Sequence, residues 1–305
     1  MTTFTGSLLC EEQMLSLFLQ MSKTEISCSR NNQTMPDFSD NDFWEEFYGS
    51  RLNAETLYYE WLQPFHILKE HLMLGLKQDS QVVDLGCGLS EVGERIYDSG
   101  VKKVHCVDMS YRCVQRLKKR NSVEREVKET VKERKRRERQ EMSYKKRTGK
   151  APPPRERKTE VVPRRKINYA TMDATDLSYF IEGTIDLVFD KGTLDCLLCS
   201  RDDFKLERAS DMIGEVFRIL RPGARYVCIS SGHQDIRLPV LESSAEKRCS
   251  GPATKDKAKT WNWASIEVSK VRKLDSGALL YSPGSDNSNF HYIYTMTKPE
   301  EEKYG

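Results

Sequence analysis

Short apolar runs, each closed by charged residues or glycine, recur along the middle of the chain. They lie at Gln81 to Leu85, Val104 to Asp108, Ile167 to Met172, Ile185 to Phe189 and Arg225 to Ser230. Runs of this length with both neighbours apolar suit strands buried on two faces. Between them the spacing changes to three and four residues. Val92 and Ile96 fit one helix, and Met212, Ile213, Val216, Phe217 and Leu220 fit another, which Arg221, Pro222 and Gly223 stop. Two more helices precede the first strand. DFSDNDFWEEFYGSR offers Asp and Ser caps before Trp44, Phe47 and Tyr48, and Pro64 suits a first turn ahead of Phe65, Leu68 and Leu72. Towards the C-terminus the period becomes two. Ala264, Ile266 and Val268 alternate with polar residues, as do Phe290, Tyr292, Tyr294 and Met296. This pattern predicts an antiparallel hairpin at a sheet edge.

Strands alternating with helices give a parallel sheet covered on both faces. The expected fold is therefore α/β: a Rossmann-like, doubly wound, seven-stranded sheet with an antiparallel C-terminal hairpin. Residues 1–36, rich in Ser, Thr, Asn and Gln, read as a disordered tail, and residues 37–305 as one domain. A basic insertion, 119–166, interrupts that domain. Its only apolar spacing from Asn121 to Arg147 is Val123, Val127 and Val131, too thin to bury, so it predicts an exposed helix that Pro152, Pro153 and Pro154 end.

Charge sharpens this division. The whole chain has 49 basic and 46 acidic residues, net +3, yet residues 116–166 hold 22 Lys and Arg against 8 Asp and Glu, or +14. The other 254 residues carry −11. No apolar run reaches the roughly 18 residues of a membrane span. Nine cysteines, from Cys10 to Cys249, suit reduced thiols, and the lone Cys196 to Cys199 pair lacks a partner for metal. The stretch from Leu8 to Met21 is split by Glu11 and Glu12 with no basic residue ahead of it. It fits neither a secretory signal nor a transit peptide, so a cytoplasmic location is expected, with mitochondria as the alternative.

VVDLGCGLS, residues 82–90, carries the strongest chemical signal. Gly86 and Gly88 allow a tight turn and close approach of a ligand at a strand's carboxyl end. Glu91 stands where a third glycine would complete a dinucleotide motif, and its charge would face a pyrophosphate. A cofactor without phosphate is expected, and S-adenosylmethionine fits, its cationic sulfonium and ammonium suited to Asp84. Asp108, 22 residues after Gly86, closes the second strand where a carboxylate accepts from ribose hydroxyls. Asp173 after the third strand is placed for an adenine amino group, with Met172 or Ala174 against the ring. Each position also has a plainer reading, as a turn, a helix cap or a solvated acid.

FDKGTLDCLL, residues 189–198, brings Asp190 and Lys191 to the same edge. Together VVDLGCGLSE, VDMS, TMDATDL and DKGTLD resemble the class I protein-lysine methyltransferases that act on elongation factor 1-alpha, and their relative that acts on citrate synthase. The resemblance spans roughly residues 41–298 outside the insertion, and FWEEFYGSR and YEWL share in it. It implies that Trp44, Tyr48 and Trp61 close over the cofactor, with Gly86, Asp108, Met109, Asp173, Ala174 and Lys191 completing the site. Ordinary helix packing is the alternative for Trp44 and Trp61. It implies methyl transfer to a protein lysine. FHYIYTMTK resembles the elongation-factor enzymes, whereas QDIRLPVLE resembles the citrate synthase enzyme.

A lysine nucleophile with a pKa of about 10.4 is about 0.1% neutral near pH 7.4, so the site must favour the neutral amine by desolvation or offer a proton exit through water or a carboxylate, for which Asp190 and Asp195 lie in the right segment. RNA or small-molecule methylation, or a noncatalytic scaffold, are the rivals. No Asn-Pro-Pro-aromatic or Pro-Cys motif supports the first, and the insertion has only Tyr144 for stacking. Expected partners are a protein substrate and an acidic partner or RNA held by residues 116–166.

Overall fold

The computed structural model describes residues 36–53, 56–126, 131–153, 159–200, 202–242, 261–273 and 289–301. The predicted tail, Pro36 apart, and Cys10 and Cys249 lie outside them.

Helix α1, Asn41–Glu46, starts where the Asp40 carboxylate accepts from the Asp42 amide at 3.0 Å. The expected continuous helix changes pitch at Phe47. Phe47–Arg51 is a π-helical turn closed by the Leu52 amide on the Phe47 carbonyl at 2.9 Å, and the wider turn lets the adjacent Phe47 and Tyr48 both be buried. Helix α2, Phe65–Met73, follows Pro64 and buries Leu68 and Leu72.

Strand β1, Gln81–Leu85, then alternates with α3, Val92–Asp98, β2, Lys103–Asp108, and α4, Tyr111–Arg120. After residues 118–165 come β5, Asn168–Thr171, and β6, Ile185–Lys191. They lead to α6, Thr193–Leu198, α7, Lys205–Ile219, β7, Leu220–Ser230, and α8, Gln234–Glu242. Strands β8, Ser265–Arg272, and β9, Phe290–Thr297, end the described chain. The sheet order is β5-β2-β1-β6-β7-β9-β8, with β5, β2, β1, β6 and β7 parallel. Strand β9 runs antiparallel to β7, and β8 antiparallel to β9 at the edge.

Neighbouring residues of each strand feed opposite cores. Val82 joins Leu68, Ile96, Val104 and Phe189 on one face, while Val83 and Leu85 join Ile213, Val216, Tyr226 and Tyr294 on the other. The chain turns from building β1, β2 and β5 in one direction to β6 and β7 in the other, so the order reverses between β1 and β6. Open α/β sheets bind ligands at the carboxyl ends beside such a reversal.

Two strands run longer than their apolar patterns predict. β6 continues through Asp190 and Lys191, and β7 begins at Leu220, directly where α7 ends, so Arg221 to Gly223 lie within an irregular stretch of strand.

The chain separates into two compact units, 1–117 with 166–305, and 118–165. The second contains an antiparallel pair that the sequence pattern did not announce: β3, Ser122–Glu126, against β4, Thr159–Pro163. Between them α5, Val131–Thr148, has no buried residue. Asn121 clamps the unit's two ends, its side chain donating to the Arg165 carbonyl at 2.8 Å and accepting from the Arg165 amide at 3.0 Å.

Candidate cofactor site

A cavity of about 920 Å³, open space at its mouth included, lies at the carboxyl ends of β1, β2 and β6 and beside the turn after β5. Its floor is the turn after β1. Gly86 and Gly88 have φ of +65° and +51°, the left-handed region that glycine tolerates. Space imposes the same choice. A Cβ on Gly86 would sit 2.0 Å from Thr193 Oγ1, and one on Gly88 would sit 2.9 Å from the Tyr48 hydroxyl. Thr193 is held there by donating to the Leu85 carbonyl at 2.8 Å. The amide of Cys87 donates to the Val107 carbonyl and that of Met172 to the Asp108 carbonyl, both at 3.0 Å, which ties three strand ends together.

Asp108 lies at the centre of this edge. Its carboxylate accepts from the Gly88 amide and the Ser110 amide, each at 2.9 Å. Burial pushes its pKa up to about 6, against the pull of those two amides. The Cys113 side chain also donates to it, and since a carboxylate has about four acceptor positions, acceptor capacity remains for a ligand. Asp173 accepts from the amide and hydroxyl of Thr175, both at 2.9 Å, which fixes the turn bearing Met172 and Ala174.

The wall opposite the sheet is aromatic. Trp44 stacks on Tyr48 with centroids 5.8 Å apart and meets Trp61 edge to face at 6.0 Å, while its Nε1 donates to the Phe38 carbonyl at 2.8 Å. Both tryptophans therefore pack against the core and line the cavity, so the two readings of these residues coexist. Lys191 joins this cover to the sheet. From the end of β6 its Nζ donates to the Glu60 carboxylate and, at 2.8 Å, to the Trp61 carbonyl.

Asp84 is placed differently from its expected role. It is 3% exposed and does not line the cavity, and its Oδ2 has no hydrogen-bonding partner. Burial drives its pKa up to about 8, although the Lys191 charge pulls it down and Glu60, Asp108 and Asp190 push it up. Asp190 also faces inward: it accepts from the Tyr226 hydroxyl at 2.6 Å and the Leu194 amide at 3.0 Å. Asp195, 1% exposed, accepts from Arg237 at 2.7 Å and from the amide and hydroxyl of Ser231 at 2.8 Å, and the Ser230 hydroxyl donates to it as well. Burial alone would raise this carboxyl, but the Arg237 guanidinium and the serine donors outweigh it and hold it low. Both carboxylates are buried and already engaged, and neither lines the cavity.

Ten of the eleven positions proposed from sequence line the cavity: Trp44, Tyr48, Trp61, Gly86, Gly88, Asp108, Met109, Asp173, Ala174 and Lys191. Met172 lines it too. Phe38, Ser39, Leu62, Thr193, Cys196 and Arg208 complete much of the remainder and had not been assigned. Thr193 lies inside DKGTLD, so its motif was visible although its partner across the sheet was not. Arg208 reaches the site from α7 by donating to the Ser39 hydroxyl at 3.2 Å, which no local pattern announces. Glu91, in the third-glycine position, precedes α3 and pairs with Arg95 at 3.1 Å. Among the described residues no cluster could hold a metal ion, and no helix is long and apolar enough to cross a membrane.

The residues present suit S-adenosylmethionine. The turn is open to a ligand only because two side chains are missing, Asp108 keeps acceptor capacity, and an aromatic wall faces an acidic edge rather than a phosphate-binding one.

No family model matches the chain. Over 194 residues it is 29% identical to the eEF1A lysine and N-terminal methyltransferase of Mus musculus and 27% identical to that of Homo sapiens, covering 64% of this chain and 22% of each relative. The chain thus spans about a fifth of the length of these relatives. It is also 24% identical over 201 residues to EEF1A lysine methyltransferase 4 of Bos taurus, covering 64% of this chain and 62% of that protein. The solved N-methyltransferase NodS of Bradyrhizobium japonicum aligns with 87% of this chain and all of its own at 13% identity, with a TM-score of 0.42, too low to carry argument. By its sheet order the chain has the seven-stranded fold of the class I methyltransferases, and in sequence it is similar to the eEF1A lysine methyltransferases among them.

Proposed function

We propose that this chain is an S-adenosylmethionine-dependent methyltransferase whose acceptor is a protein lysine. The observation that carries the reading is the cavity at the sheet's order reversal, where Gly86, Gly88, Asp108 and Asp173 converge from separate strand ends under Trp44 and Trp61. The cofactor, when bound, supplies a methyl group already activated on a sulfonium. The chain's own residues then bind, orient and exclude water. Asp108 would accept from the ribose on its remaining acceptor capacity, Met109, Met172 and Ala174 would flank the adenine, and Asp173 would accept from its amino group. Tyr48, Trp44 and Trp61 shut out solvent, and the Lys191 ion pair with Glu60 keeps that cover seated. Most of the rate comes from holding amine and methyl carbon about 3 Å apart in line, worth several kcal/mol of barrier. No covalent nucleophile is required.

The lysine acceptor rests on likeness to relatives named for that activity and on the DKGTLD segment. Elongation factor 1-alpha is the preferred substrate, since FHYIYTMTK resembles the terminal segment of the elongation-factor enzymes and the relatives similar in sequence are named for that substrate. Incubating the protein with methyl-labelled adenosylmethionine and cell extract tests the reading. A labelled band removed by protease and identified by mass spectrometry as a methylated lysine supports it; nuclease-sensitive label, or label on small molecules alone, overturns the acceptor.

A further inference from the structure

Outside the cavity, helix α5 carries a charge pattern that methyl transfer does not use. At 100° per residue, Lys132, Lys135, Arg136, Arg139, Lys146 and Arg147 fall within an arc of about 120°, along about 22 Å of axis. All six are exposed, and no ion pair among the described residues engages them. The arc contains no acid. Of the helix's three acids, Glu133 flanks the arc about 40° beyond its edge, and Glu138 and Glu141 lie on the opposite side, where Arg134 faces Glu138 at 3.9 Å and Arg137 donates to Glu141 at 2.9 Å.

This segregation separates α5 from a helix kept soluble by interspersed charge. There, acids sit four residues from bases all round the axis and each pair stabilises. Here Lys132 with Arg136, and Lys135 with Arg139, are like-charged pairs four residues apart, which destabilise an isolated helix. An external anion relieves that repulsion.

The chemistry of the face selects the anion. A protein interface is organised around apolar or aromatic anchors in a desolvated centre. The basic arc offers only Ser143 among its cations, with Val131 and Met142 at its margin and Tyr144 on the far side. A phosphate backbone needs no anchor. A duplex presents one charge per about 1.7 Å, so 22 Å of axis offers about a dozen phosphates to six cations, and affinity comes from released counterions. We propose that this face of α5 binds the phosphate backbone of a nucleic-acid duplex, without reading its sequence. The inference concerns residues 118–165 alone and stands whether or not the acceptor of methyl transfer is a protein lysine.

The test uses the full chain and fluorescein-labelled 24-base-pair RNA and DNA duplexes, with anisotropy read from 50 to 200 mM NaCl. Six phosphate contacts give a slope of log affinity against log salt of about −5, a loss of roughly a thousandfold across that range. Replacing the six residues with Gln, a good helix former, should abolish the slope and weaken binding at 50 mM by at least about thirtyfold. Arg134→Gln, Arg137→Gln and Lys145→Gln on the opposite side, combined in one control, should change it by less than about threefold. Circular dichroism showing equal helix in both variants secures the comparison. Binding of RNA alone or DNA alone identifies the duplex and supports the proposal. No binding of either duplex, wild-type behaviour of the six-Gln variant, or preference for poly-glutamate over both duplexes overturns it.

Discussion

Replacing Asp84 with Asn tests whether this buried acid is protonated in the folded chain. The carboxyl is 3% exposed, lacks a partner at Oδ2, and has its pKa raised to about 8 chiefly by burial. In the unfolded chain an Asp titrates at about 3.9. The folded state therefore keeps a proton that the unfolded state gives up, and the stability contributed at low pH is lost as pH rises from about 4 to about 8. Each unit is worth 1.36 kcal/mol. From pH 5 to pH 8 the last unit is partly titrated, so the wild type should lose about 3 kcal/mol through Asp84. Asn cannot titrate. Asp108 and Asp190, both raised to about 6 by burial, lose stability with pH in the same sense, but they are present in both chains, so only their electrostatic coupling to Asp84 enters the difference. Urea unfolding of both proteins at pH 5, 6, 7 and 8 gives the comparison, with unchanged denaturant slopes as the check on the unfolded state. The stability of Asp84→Asn relative to wild type should rise by about 3 kcal/mol across the range. A difference that stays constant within about 1 kcal/mol would refute a protonated Asp84.

Gly86→Ala places a methyl group 2.0 Å from Thr193 Oγ1 on a backbone with φ of +65°. The left-handed conformation alone costs about 1–2 kcal/mol, and displacing Thr193 adds to it, so a drop of at least that size in urea unfolding is expected. Thr193→Ala, which removes the hydroxyl and methyl that the new Cβ meets, should recover part of it. Arg237→Met leaves Asp195 charged and buried without its cation, which should destabilise the protein by about 3–5 kcal/mol. Combining it with Asp195→Asn should recover a large share, and a double variant as weak as the sum of the two would show that the pair is not coupled.

Much of the fold was legible because buried parallel strands leave short, predominantly apolar runs. Val82 to Leu85 and Ile185 to Phe189 show them, each broken by a single acid, Asp84 and Asp186, and each feeding two cores. The terminal hairpin was legible for the complementary reason: Ile266 and Val268 alternate with polar residues along an edge strand. The β3 and β4 ribbon was not. Ser122–Glu126 has the sequence SVERE, with no apolar face to fix a register, and its partner lies beyond an 18-residue helix. The π-helical turn at Phe47 was hidden too, because the aromatic spacing there fits an ordinary helix.

The site divides along the same line. Gly86, Asp108 and Asp173 follow strand ends, and parallel strands deliver their carboxyl ends to one edge, so position in sequence predicts position in space. What was not legible depends on distant pairing. Lys191 meets Glu60 across 131 residues, and Arg237 meets Asp195 across 42. The depth of Asp84 likewise depends on distant packing, and the sequence that offered Asp195 as a proton acceptor did not show its pairing with Arg237.

Titration calorimetry of adenosylmethionine against the wild type and Asp108→Ala decides whether the cavity at the sheet's order reversal holds the cofactor. Asp108 has acceptor positions left beyond the Gly88 and Ser110 amides, and hydrogen bonds to a charged acceptor are worth about 1.5–3 kcal/mol. Saturable binding at one site is expected in the wild type, weakened roughly ten- to hundredfold in the variant. Absence of binding to the wild type, or equal affinity in both proteins, would contradict it.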